Sequence, residues 1–199
     1  MFKIEPKLLR LLNLFIGNNK KEQKIDVIKT IFYHEDDFRQ VELLPTDNRE
    51  EHPINVKELD TLTKVYSDSF GTNEIFIRND ISKTKLRQLQ INPNDLDQIL
   101  SLTELERFSK VETGYGQHFR KEHKNCIAFG KSYCAIYYDF NDNIVEHIWL
   151  TNHWDLDKTK LASTLHILGL KWNLLLQDWE QTVTIDLKDK NSIIKYLDK

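Results

Sequence analysis

Between positions 125 and 154 the chain reads NCIAFGKSYCAIYYDFNDNIVEHIWLTNHW, and no other stretch limits the fold so strongly. It is dense in aromatic and β-branched residues and is punctuated twice by turn-forming ones, at Gly130 and around residues 141–143. Such a pattern predicts three antiparallel strands in a row. With a three-residue second turn, Phe140 is expected opposite Ile144, and Ile136 opposite Ile148. Cys134, Ile136, Phe140, Ile144, Ile148 and Leu150 then share the buried face. Tyr137, Asp139, Val145, His147 and Trp149 share the outer one.

The flanking segments alternate in type. DLDKTKLASTLHILG predicts a helix over residues 155–169, capped by Asp155 and stopped at Gly169. KWNLLLQDW and QTVTIDL read as two more strands, and DKNSIIKYL as a short helix capped by Asp189. Upstream, PKLLRLLNLFIG has Pro6 at a first helical position and Gly17 at a stop. A second helix is expected from Asn55 and a short strand at EIFIR (Glu74 to Arg78). SKTKLRQLQ, PNDLDQIL and TELERF read as short helices, the last with a Thr103–Glu106 capping box. Helices and hairpins are mixed without βαβ alternation, so the expected class is α+β. The expected organisation is an N-terminal stretch 1–110 and a C-terminal stretch 111–199, as one compact domain or two closely packed halves.

A chain of 199 residues buries roughly 70% of its unfolded surface and needs no disulfide or metal to hold it. Cys126 and Cys134 flank Gly130 symmetrically; they suit a cross-strand disulfide or two inert buried thiols in a reducing compartment. Arg10 interrupts the one early apolar stretch, and no run reaches a membrane-spanning length of ~18 residues, so a cytoplasmic protein with no membrane partner is expected.

Net charge is −3, which disfavours a dedicated nucleic-acid binder. The charge is uneven, however. Residues 35–60 hold nine acidic side chains against Arg39, Arg49 and Lys57. The segment IDVIKTIFYHEDDFRQVELLP reads as a hairpin turning at Asp36–Asp37, with Phe32 opposite Val41 and His34 opposite Arg39. Ile28, Phe32, Val41 and Leu43 would then face the core and the carboxylates would sit at a wet tip.

Candidates for chemistry are spread out. GYGQHFRKEHKNC (residues 114–126) offers two glycines and a basic run suited to an anion or RNA, but it lacks a phosphate-loop fingerprint. His118, His123, Cys126 and Cys134 cluster in sequence without the paired short spacings of a zinc site, so no metal and no cofactor is expected. Asp139 and His147 can meet on the outer sheet face as a carboxylate–imidazole pair. No Ser or Cys stands in a nucleophile elbow, and a non-enzymatic chain is expected.

The run CIAFGKSYCAIYYDFNDNIVEHIWL followed by LHILGLKWNLLLQDWEQTVTIDLKDKNSIIKYL resembles bacterial immunity proteins encoded beside polymorphic or contact-dependent toxins. The shared style is an aromatic antiparallel sheet, a helix, an LG-x-x-W turn and a closing hairpin. This resemblance implies a cytoplasmic inhibitor that occludes a toxin's active site, with a basic nuclease as a natural partner. Glu35, Asp36, Asp37, Glu42, Asp47, Glu50 and Glu51 are then the expected partner-binding residues. Two other expectations stand beside it. One is a hydrolase or nucleotide-processing enzyme using His118, His123, Asp139 or His147; the other is an RNA-binding module at residues 114–124.

Overall fold

A computed structural model describes residues 29–49, 67–68, 71–72, 83–116 and 119–198. The expected helices at residues 6–17 and from Asn55, the strand at residues 74–78, and Ile28, Glu50, Glu51 and His118 lie outside them.

The predicted meander is present: β8 (Cys126–Lys131), β9 (Cys134–Asn141) and β10 (Ile144–Thr151) pair antiparallel. Its turns are tighter than expected. Asp142 and Asn143 both adopt positive φ (50° and 61°), the conformation of a two-residue hairpin loop, which these side chains tolerate. Phe140 therefore faces Val145 rather than Ile144, and Ile136 faces Leu150 rather than Ile148. An irregularity between Val145 and His147 restores alternation and turns Val145 to the opposite face from the one expected. Gly130 is not in a turn. It pairs with Ala135, and a Cβ there would lie 2.3 Å from the Ala135 Cβ, so the residue serves close strand approach.

Seven strands form the main sheet, in the order β12-β11-β2-β10-β9-β8-β5. They include β2 (Val41–Pro45), β5 (Glu106–Phe108), β11 (Leu174–Asp178) and β12 (Val183–Asp186), all antiparallel to their neighbours. A second sheet has the order β1-β6-β7, where β1 (Thr30–His34) runs parallel to β6 (Lys110–Gly114) and β7 (Arg120–Glu122) antiparallel to it. A short ladder joins β3 (Ser67–Asp68) to β4 (Gly71–Thr72).

The expected hairpin between β1 and β2 does not form. The two strands belong to different sheets, and residues 35–40 carry the chain from one to the other. The inward residues of β1 are Ile31 and Tyr33 rather than Phe32. All five residues of β2 are buried, as befits a strand central to a covered sheet. TELERF is likewise a strand start rather than a helix. Glu104 takes a left-handed φ of 58°, and Thr103 bonds back to the Leu100 carbonyl at 2.6 Å, closing a helix instead of opening one.

Among the described residues three helices cover one face of the main sheet: α1 (Pro93–Leu100), α2 (Lys158–Trp172) and α3 (Lys190–Leu197). Asp189 caps α3 as expected. Asp157, not Asp155, caps α2 by accepting from the Thr159 and Lys160 amides. Gly169 lies inside α2, where a Cβ would meet Leu187 at 2.4 Å; it permits close packing, and the helix runs on to Trp172. Leu43, Ile136, Ile148, Leu165, Leu176 and Ile193 typify this helix-side core.

The other face, expected to be wet, is roofed by the small sheet. Tyr137 and Trp149 are fully buried there with Ile31, Tyr33, Val111 and Cys126. Both sheets mix strands from before and after residue 110. Cys126 and Cys134 are free thiols on opposite faces, one in each core, so they neither bond nor share a ligand. The fold is α+β, and among the described residues no helix is long and apolar enough to cross a membrane.

Candidate functional site

The roof brings together residues distant in sequence. Parallel pairing sets Tyr33 opposite Thr113. After β7, the His123 amide donates to the Val111 carbonyl at 2.9 Å, which fixes His123 beneath β1 and β6. From the sheet below, β9 and β10 supply Asp139 and His147 as a cross-strand pair.

Asp139 is the centre of the group. Its Oδ1 accepts from the His147 amide at 2.9 Å and lies 2.9 Å from His147 Nδ1, while Oδ2 lies 3.5 Å from His123 Nε2. Burial alone would raise its pKa. The hydrogen bonds from the His123 and His147 rings are the main causes that outweigh burial, and the carboxyl is held at about 2. Asp139 is thus an ionised, accept-only group, so the ring nitrogens facing it carry protons. His123 Nδ1 is left as an acceptor, and Tyr33 Oη lies 2.8 Å from it.

Aromatic rings pack around this chain of bonds. Trp149 stacks on Tyr137 at 5.3 Å and lies 5.8 Å from His123 in near-parallel orientation. Phe38 stands edge-on to both imidazoles, 6.0 Å from each. Burial is the main cause that pushes the Tyr33 phenol and the Cys126 thiol far above their ordinary values, so both stay protonated.

Two clefts open beside the group. The larger, about 680 Å³, runs past Tyr33, Phe38, Thr113 and His123 to a rim carrying Glu35, Lys121, Glu122 and Lys124. The smaller, about 290 Å³, is reached by His147 and lined by Arg39, Glu42, Arg87 and Glu146. Arg87 pairs with Glu146 and Asp142, and Arg39 with Glu42. Among the described residues no group of three or more His, Cys, Asp or Glu side chains is arranged to hold a metal ion.

Among the described residues, the acidic side chains expected to bind a partner are not one surface. Glu35, Asp36 and Asp37 form a 3-10 turn between the sheets, with Asp36 exposed and the other two half-buried. Burial raises the Asp37 carboxyl above its ordinary value. Glu42 is only 2% exposed and is bound to Arg39 at 2.6 Å and to the Trp179 indole at 2.9 Å, so it holds the fold and cannot face a partner. Asp47 lies beyond the far end of β2, roughly 17 Å along a five-residue strand from the turn. In the expected RNA-binding run, Arg120 covers the Phe32 ring at 4.3 Å and lies 3.9 Å from Glu112.

Asp139 and His147 meet as the sequence indicated, and His123 joins them. Tyr33, Phe38 and Thr113 escaped sequence reading. For Tyr33 the one visible signal was the alternation of TIFYH, whose inward phase the expected hairpin assigned to the wrong residues. No family model, curated protein or solved structure matches this chain.

Proposed function

We propose that this chain is a protein-binding module that meets a basic partner at the acidic turn and, more specifically, an immunity protein that occludes the active site of a bacterial toxin. The observation that supports it is an exposed ring, Tyr115, beside the acidic turn, with exposed Phe119 at the other end of the same β6–β7 connection. Tyr115 is 59% exposed and Phe119 74% exposed, and the Tyr115 ring lies 5.3 Å from that of His34, next to Glu35. Exposed aromatic rings next to carboxylates suit an interface in which the rings anchor and the charges steer approach. The resemblance of the C-terminal run to toxin immunity proteins supplies the finer reading. It also implies that the chain works by occupying a surface and needs no catalysis.

The test is co-purification from the native host, followed by association kinetics with whichever stoichiometric partner is found. Charge reversal of Asp36 and Asp37 should slow association roughly tenfold and flatten its dependence on salt. Phe119→Ser should act on dissociation instead, weakening the complex by roughly tenfold. Binding unchanged by both substitutions would remove this surface. A partner whose expression harms no cell in the absence of this chain would remove the immunity reading while leaving the module.

A further inference from the structure

We propose that the larger cleft is a binding site for an uncharged, planar, hydroxyl-bearing small molecule, and that Tyr33, His123 and Asp139 form a general-base relay at its floor. This goes beyond the interface at the acidic turn and, Glu35 at the rim apart, uses different side chains.

Three observations carry it. First, the relay has a direction. Asp139 keeps the proton on His123 Nε2, so Nδ1 accepts from the Tyr33 hydroxyl at 2.8 Å and the phenol oxygen retains lone pairs for another donor. Second, Thr113, which lines the cleft and is 6% exposed, buries a hydroxyl that has no hydrogen bond of standard geometry. Its neighbour is the Tyr33 phenol, in an interaction that falls short of that geometry, and a ligand hydroxyl in the cleft would complete its bonding. Third, the walls and rim define the class of ligand. Phe38 and Tyr33 present aromatic surface, while Glu35 and Glu122 balance Lys121 and Lys124, so the mouth selects neither anion nor cation. A volume of about 680 Å³ suits a small ring compound.

The chemistry is a proton transfer. The ligand's O–H bond breaks and its proton passes to Tyr33 Oη as the proton of Tyr33 crosses to His123 Nδ1. The imidazolium so formed stands beside the Asp139 carboxylate. The phenol is neutral before and after, which agrees with its burial, and the ligand is left as an oxyanion within reach of the Thr113 hydroxyl. No other atom or electron moves. Phe38 and Trp149 hold the His123 ring in place, and His147 holds Asp139 from the other side.

The probe is 4-nitrophenol, titrated into the intact chain at a pH below its own pKa, with the visible absorbance of its phenolate as the readout. Saturable binding with a phenolate band is expected. Tyr33→Phe should abolish the band. Asp139→Asn should leave the probe bound but lower the phenolate fraction roughly tenfold. His123→Gln, whose amide keeps a hydrogen-bonding shape at that position, should do the same if Asp139→Asn proves unstable by circular dichroism. No saturable binding, or a phenolate band that survives both Tyr33→Phe and His123→Gln, overturns the proposal.

Discussion

The two faces of the main sheet are built on different chemistry. The helix side is mainly aliphatic: Leu165, Leu168, Leu176 and Ile193 pack with Leu43, Ile136 and Ile148 around the few rings of Phe129, Tyr138 and Tyr196, with almost no solvent contact. The roof side is aromatic, and its core adjoins a carboxylate, two imidazoles, a phenol and a thiol. Helices can close a sheet face completely because their side chains interdigitate with it. Three short strands leave more of their face open, and the larger cleft lies along the edge of their cover. Stability is therefore concentrated on one side of the sheet, and ionisable groups able to act on a ligand on the other.

The contrast is open to attack in three places. Leu165→Ala should have the largest effect, about 2–5 kcal/mol in chemical denaturation, because the residue is fully buried under α2. A loss under about 1 kcal/mol would mean that the helix side is not the close-packed one. Next comes His153, fully buried against Tyr196 with Nε2 unpartnered. Burial chiefly drives its pKa down to about 4, against the opposing charge of Asp178. Below its ordinary 6.5 the unfolded chain takes up a proton that the native state refuses, so stability should fall from pH 6.5 to about 4, by about 3 kcal/mol. His153→Phe should erase that step. The roof side should respond last. Asp139, held at about 2 against an ordinary 3.8, adds stability that is complete above pH 3.8 and lost as the pH falls toward 2, about 2 kcal/mol in all. Stability measured against pH in Asp139→Asn should lack this lower step and keep the upper one; loss of both would show that the faces are not independent.

Local signals in the sequence were reliable wherever the structure is local. The meander, α3 with its Asp189 cap, and α1 behind Asn92 and Pro93 each follow from a short window. What misled was competition from afar. Asp36 and Asp37 look like a hairpin turn, yet β2 gains two long-range neighbours in β10 and β11, and β1 gains β6. VELLP was read as alternating, but a strand covered on both faces needs no polar side, and Glu42 is tolerated inside because Arg39 and Trp179 bind it. The Asp139–His147 half of the site was legible because one hairpin makes it. Tyr33 and His123 were not, since only the roof brings them to that hairpin.

The strand order also sets a timetable for synthesis. Thr30 pairs with Lys110, and Val41 lies between Leu150 and Asp178, so the earliest described strands leave the ribosome long before their neighbours exist. Until the meander is made, the roof strands carry Ile31, Tyr33 and Val111 uncovered, an adhesive surface in a crowded cell. The same long-range docking that assembles the site leaves one wall of its core open while the chain is being made.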